Sequence, residues 1–119
     1  MKTAALLVAA VMVACTAFPP AADRLVGAWR YADRAKECHY IFRKDGNFRG
    51  EVRLQGKVIS RFTGRWWVEG DILFYRYLSD AMHRIPIGAT DRDKLLAVEE
   101  GKFTIMAGDG SHRTYVRVR

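Results

Sequence analysis

Apolar and polar residues alternate over much of this chain. From 47 to 54, Phe48, Val52 and Leu54 share one face with Gly50, and Asn47, Arg49, Glu51 and Arg53 take the other. From 58 to 68, Val58, Phe62, Trp66 and Val68 line one side with Ser60 and Gly64, while Arg61, Thr63, Arg65 and Trp67 take the opposite side. A period of two marks half-buried antiparallel strands, and no segment sustains the 3.6-residue period of a helix. Strands are expected near 25–31, 38–43, 47–54, 58–68, 72–78, 84–88, 94–98, 103–107 and 113–118. The 79–93 region has the weakest pattern and has room for a turn of helix. Gly- and Asp-bearing turn signals recur every 8–12 residues, which is the spacing of an all-β sandwich or barrel.

Turn length sets which residues face each other, because directly opposed residues share a face. A three-residue loop at Lys44-Asp45-Gly46 pairs Phe42 with Phe48, with Gly46 at the left-handed position of a type I turn plus bulge. Glu99-Glu100-Gly101 treated alike pairs Ala97 with Phe103 and Leu95 with Ile105. A two-residue loop within Glu69-Gly70-Asp71 puts Leu73, Tyr75 and Tyr77 on the face of Trp66. A two-residue turn at Gly110-Ser111 pairs Ala107 with Thr114 and Ile105 with Val116. The result is an up-and-down meander of about eight antiparallel strands. Closing it into a small β-barrel removes the exposed edges of an open sheet. On the last strand this parity turns Thr114, Val116 and Val118 inward and Arg113, Arg117 and Arg119 outward.

The first residues follow another logic. Lys2 precedes an apolar run, Ala4–Ala14, far shorter than the ~20 residues of a membrane span. A basic start and an apolar stretch of this length read as a secretory signal peptide. The run closes at Met12-Val13-Ala14-Cys15, which resembles the lipobox of bacterial lipoproteins. That resemblance implies cleavage before Cys15, acylation of Cys15, and, with Thr16 next rather than Asp, an outer-membrane address facing the periplasm. Ordinary cleavage after Ala17 or Ala22 is the alternative. The expected organisation is a signal peptide over 1–14, a tether over 15–22 containing Pro19-Pro20, and a folded domain over 23–119. Once Cys15 is acylated or removed, Cys38 has no disulfide partner and reads as a small buried apolar residue.

An early Gly27-Ala28-Trp29, a late Arg117 within Tyr115-Val116-Arg117, and the stretches Phe42–Phe48 and Gly64–Asp71 together resemble the calycin superfamily, and in particular the small bacterial lipocalin-like domains. The resemblance implies a barrel whose base is closed by Trp29, with Gly27 beside it and Arg117 packed over the indole. With the parity above, Arg117 reaches Trp29 only through a bulge or twist. The resemblance also implies capture of a small apolar ligand, for which Phe42, Phe48, Phe62, Trp66, Tyr75 and Tyr77 are the candidate lining. The strands are short, so a barrel filled by its own side chains is expected over a hollow one.

The chain carries 20 Lys and Arg against 13 Asp and Glu, a formal charge of +7. Arg49, Arg53, Arg61 and Arg65, with Trp67, form a basic outer face. Such a face serves solubility, or contacts an anionic envelope component such as lipid headgroups. An oligonucleotide-binding fold shares this pattern, but the export signal argues against a nucleic-acid partner. His39, His83 and His112 are scattered, no phosphate-cradling loop is present, and Asp91-Arg92-Asp93 reads as a solvated loop. Hence no catalytic residue, metal site or cofactor is expected. Two functions remain: a non-enzymatic lipocalin-like binder of a small apolar ligand, and an envelope interaction or inhibitor module with a filled barrel and an active surface.

Overall fold

The computed structural model describes residues 21–118. Cys15, the signal segment, the start of the tether and Arg119 lie outside them. A short helix α1 (Ala21–Leu25) leads into eight strands: β1 (Gly27–Ala32), β2 (Lys36–Phe42), β3 (Asn47–Leu54), β4 (Lys57–Glu69), β5 (Ile72–Asp80), β6 (Thr90–Val98), β7 (Lys102–Met106) and β8 (His112–Val118). Each strand pairs antiparallel with the next. β8 returns to β1 through Ala28–Val118, Trp29–Arg117 and Arg30–Val116, which closes the barrel. The β2–β3, β4–β5 and β6–β7 hairpins and α1 mark its lower end, and the remaining four connections mark its upper end.

The expected meander is present, with four local departures. Residues 84–88 form no strand. They belong to the β5–β6 connection, where Pro86 has no N–H to give a ladder, and β6 instead begins at Thr90. Leu25 lies in α1, not in β1. Phe42 does pair with Phe48, Trp66 with Tyr75 and Gly64 with Tyr77. Leu95 pairs with Ile105, but Val98, not Ala97, faces Phe103, because an irregularity at Leu96 adds a residue to β6.

The fourth departure inverts a strand. The β7–β8 connection is a residue longer than a two-residue turn. Ala107 N donates to Ser111 O at 2.8 Å, and Gly110 takes φ +85°. This is the same turn that Lys44-Asp45-Gly46 makes, with Gly46 at φ +91°. The pairs become Ile105–Arg113, Thr104–Thr114, Phe103–Tyr115 and Lys102–Val116. Tyr115 therefore points inward, and Val116, 56% exposed, points out. Arg113 and Arg117 share the parity of Tyr115, so Arg117 reaches the interior without any bulge.

Aromatic rings fill the barrel. Trp29 meets Phe103 edge-on at 4.8 Å between centroids, Phe42 meets Trp66 at 5.0 Å, Phe103 stacks on Tyr115 at 4.9 Å, and Phe62 meets Tyr77 at 5.1 Å. Gly50 and Gly64 take inward positions that leave no room for a side chain. A Cβ would lie 2.5 Å from the Phe62 ring at Gly50 and 2.7 Å from the Phe48 ring at Gly64.

Candidate functional sites on and in the barrel

At the lower end Gly27, Trp29 and Arg117 come together. The Arg117 guanidinium carbon lies 4.2 Å from the centroid of the Trp29 ring. Its three nitrogens donate to Glu100 O at 2.7 Å, Val26 O at 2.9 Å and Arg24 O at 3.0 Å. The Trp29 indole N–H donates to Leu25 O at 2.8 Å. A Cβ at Gly27 would lie 2.4 Å from Arg117 Nη1, and φ there is +137°, so only glycine fits. This is a plug that seals the floor. Each guanidinium nitrogen, and the indole N–H, donates to a backbone carbonyl of the floor itself.

Above the floor, Phe42, Phe48, Phe62, Trp66 and Tyr75 are all buried, and Tyr77 is half-buried. They contact one another: the Phe48 ring alone touches those of Phe42, Phe62, Tyr75 and Tyr77. The Trp66 indole N–H is taken up by Arg43 O at 2.8 Å.

The upper interior is polar, and most of it was not apparent in the sequence. Tyr40 and Tyr115 stack at 5.4 Å, and the Tyr75 hydroxyl donates to Asp93 Oδ2 at 3.1 Å. Asp93 is on β6 opposite Leu73, not in a solvated loop. Burial pushes its carboxyl above the usual range, the charge of Asp91 adds to this, and the Tyr75 hydrogen bond opposes it. Burial likewise raises the phenols of Tyr40 and Tyr75 well above their ordinary value, so both stay protonated donors. Arg113 lies 5.9 Å from the Tyr31 ring at the rim. The Cys38 thiol is buried and its pKa raised by that burial, which makes it a poor nucleophile. Tyr40 shares the parity of Phe42 and was legible; Tyr115 was hidden by the β8 register.

The outer wall of β2–β5 bears the expected basic residues, but two of them share one carboxylate, which offsets one of their two charges. Arg53 Nε and Arg61 Nη2 lie 2.8 and 3.0 Å from Glu51, and these hydrogen bonds hold the Glu51 carboxyl below its ordinary range. Arg65 donates to Asn47 Oδ1 at 2.8 Å and to Asp45 O at 3.2 Å. Arg49 makes no side-chain hydrogen bond or ion pair among the described residues. Trp67 is half-buried, not largely exposed, because it stacks on Phe74 at 5.3 Å with the rings 7° apart. An open groove of about 970 Å³ runs over this wall between His39, Arg49, Arg61 and His83.

Asp80 anchors the 81–89 connection beside that groove. Its buried carboxylate accepts from Ser60 Oγ and from the backbone N–H of Arg61, Met82, Arg84 and Ile85, at 3.0–3.2 Å. Burial disfavours the charge, but these donors outweigh it and hold the pKa down to about 2. A depressed carboxyl pKa stabilises the fold above the unfolded value of 3.8 and ceases to do so as pH falls through about 2. Asp80→Asn is expected to cost about 1.5–3 kcal/mol near neutrality, the worth of charged hydrogen bonds. In urea titrations the gap between wild type and variant should hold down to about pH 4 and shrink toward pH 2. A gap that stays constant to the lowest pH would show that the carboxylate charge is not what holds the loop.

Among the described residues no cluster of three or more His, Cys, Asp or Glu is arranged to hold a metal ion. No protein-family model matches the chain, and no curated protein matches it. A solved structure does: the crystal structure of a lipocalin-like protein from Bacteroides uniformis, 16% identical, with a TM-score of 0.59, covering 80% of this chain and 99% of that one. The all-β, eight-stranded, meander-ordered closed barrel is thus a lipocalin-like fold.

Proposed function

We propose that this protein is a non-enzymatic envelope module that works through the outer wall of a filled lipocalin-like barrel. In this reading it is exported, acylated at Cys15 and held at the outer membrane facing the periplasm. The observation that carries the reading is where the open space lies. The interior is taken up by its own aromatic rings, while the groove of about 970 Å³ lies outside, over β2–β5. Small-ligand sites are concave and bury most of their ligand, which rings in mutual contact do not allow.

A second reading has a specific observation behind it. Tyr40, Tyr75, Tyr77 and Tyr115, with Asp93 and Arg113, ring the upper interior, where the fold favours capture of a small ligand. Such a ligand needs an apolar body against the rings and a hydrogen-bonding end for the hydroxyls, so it is not purely apolar. Titration with 1-aminoanthracene, a neutral fluorophore with an apolar ring body and a hydrogen-bonding amine, separates the two. The outer-wall reading expects no saturable enhancement. Saturable one-to-one binding that Tyr40→Ala or Tyr115→Ala abolishes would move the function to the mouth. The address is tested separately by metabolic acyl labelling, which Cys15→Ala should eliminate; equal labelling of both chains would sink it.

A further inference from the structure

From the outer wall we infer that β2–β5 and the 81–89 connection form a docking surface for an anionic phospholipid bilayer, against which the barrel lies on its side. The inference rests on the outer-wall reading above. Its first support is uncompensated charge. Among the described residues Arg43, Arg49 and Arg76 donate no side-chain hydrogen bond and join no ion pair. Arg65 and Arg76 occupy opposed positions on β4 and β5, so this stretch of the wall carries two like charges on neighbouring strands.

The second support is the set of apolar side chains placed among these charges. Leu78 is 45%, Met82 42% and Ile87 79% exposed. Leu78 shares a shallow depression with Arg43 and Arg49. Ile87 lines another with Ser79 and His83, and those two also border the main groove. The connection that carries Met82 and Ile87 is not loose, because the donors to Asp80 fix its first half. At the other end of the same wall lies the stacked Trp67–Phe74 pair.

From lower to upper end the wall thus reads aromatic pair, opposed arginines, Leu78 beside Arg49, then Ile87. The apolar points are separate, and Leu78 and Ile87 each share a depression with an arginine, Arg49 and Arg84 respectively. A protein partner of stable affinity needs a continuous apolar centre. A membrane interface instead takes isolated aromatic and aliphatic side chains at headgroup depth and arginines at the phosphates. The wall runs the full height of the barrel, so the lower end, where α1 enters, lies at the edge of such a contact and not opposite it.

The test is flotation of the full chain carrying Cys15→Ala, which removes any acyl group, with phosphatidylcholine vesicles with and without phosphatidylglycerol. Binding should require phosphatidylglycerol and fall with rising salt. It should weaken about tenfold or more in Arg49→Glu with Arg76→Glu, and likewise in Ile87→Glu, given the usual contribution of a basic residue near an anionic surface. Lys102→Glu, on β7 across the barrel, makes half the charge change of the double variant and twice that of Ile87→Glu, and should leave binding unaltered. Equal binding to both vesicles, or wall variants that bind like the parent, would overturn the inference; binding driven by the apolar 4–14 run would give that result. Competition by millimolar glycerol phosphate would also overturn it, by revealing a site for a soluble phosphate. None of these outcomes touches the outer-wall reading itself, which falls only if the neutral fluorophore binds saturably inside the barrel.

Discussion

Trp29→Ala should destabilise the protein by about 3–5 kcal/mol, the cost of emptying a fully packed aromatic site. The indole is 1% exposed, meets Phe103 edge-on and carries the Arg117 guanidinium on its face. Truncation leaves a void beneath Arg117 and strips Leu25 O of its donor. Arg117→Ala acts on the same plug from above and should cost about 1.5–3 kcal/mol, since three backbone carbonyls lose a charged donor. Because the side chains touch, the two losses should not add, and the double variant should be more stable than their sum. Urea denaturation of the four chains measures this. Additive losses, or a Trp29→Ala cost within about 1 kcal/mol, would mean that the floor is not held by this contact.

Trp66→Ala should cost about 3–5 kcal/mol as well, whereas its neighbour Trp67→Ala should cost about 0.5–1.5 kcal/mol, the worth of an aromatic pair at a surface. Adjacent strand residues point to opposite faces. Trp66 packs on Phe42 inside and donates to Arg43 O, while Trp67 lies flat on Phe74 outside. Thermal unfolding of the two variants gives the comparison. Similar losses from both would show that the inward and outward faces of β4 are not energetically distinct. The Trp67→Ala loss is not negligible because Phe74, directly across the ladder, shields the outer indole.

Alternation was enough to find most strands and their inward faces, since burying one face of a strand leaves a period of two. Hairpin register was legible where the loop was given its true length, as at Lys44-Asp45-Gly46. It failed at Gly110 for want of one residue in the assumed loop. A one-residue slip turns a whole strand over. That slip put Val116 and Val118 inside and Tyr115 outside. It also placed Arg117 on the wrong side of the sheet, although Gly27, Trp29 and Arg117 do meet. A buried phenol at Tyr115 outweighs two exposed valines, which no local pattern on β8 announces. The same limit hid Asp93, whose neighbours Asp91 and Arg92 look solvated until β6 is seen to turn its acidic residues toward Tyr75. Asp80 left no local signal, because four of its five donors are backbone N–H groups assembled by the chain around it.

The pairing of β8 with β1 also governs when the protein can finish folding. Arg117 donates to Val26 O across 91 residues of chain, so the contact that seals the floor becomes available only after β1–β7 have been synthesised. Until β8 has emerged, β1 and β7 each present a bare strand edge, and edges of this kind pair readily with other chains. Contacts so distant in sequence carry a large loop-closure cost, and folding dominated by them takes on the order of milliseconds to seconds. The exposure of the nascent sheet to aggregation therefore lasts until residues 112–118 are free to pair with β1.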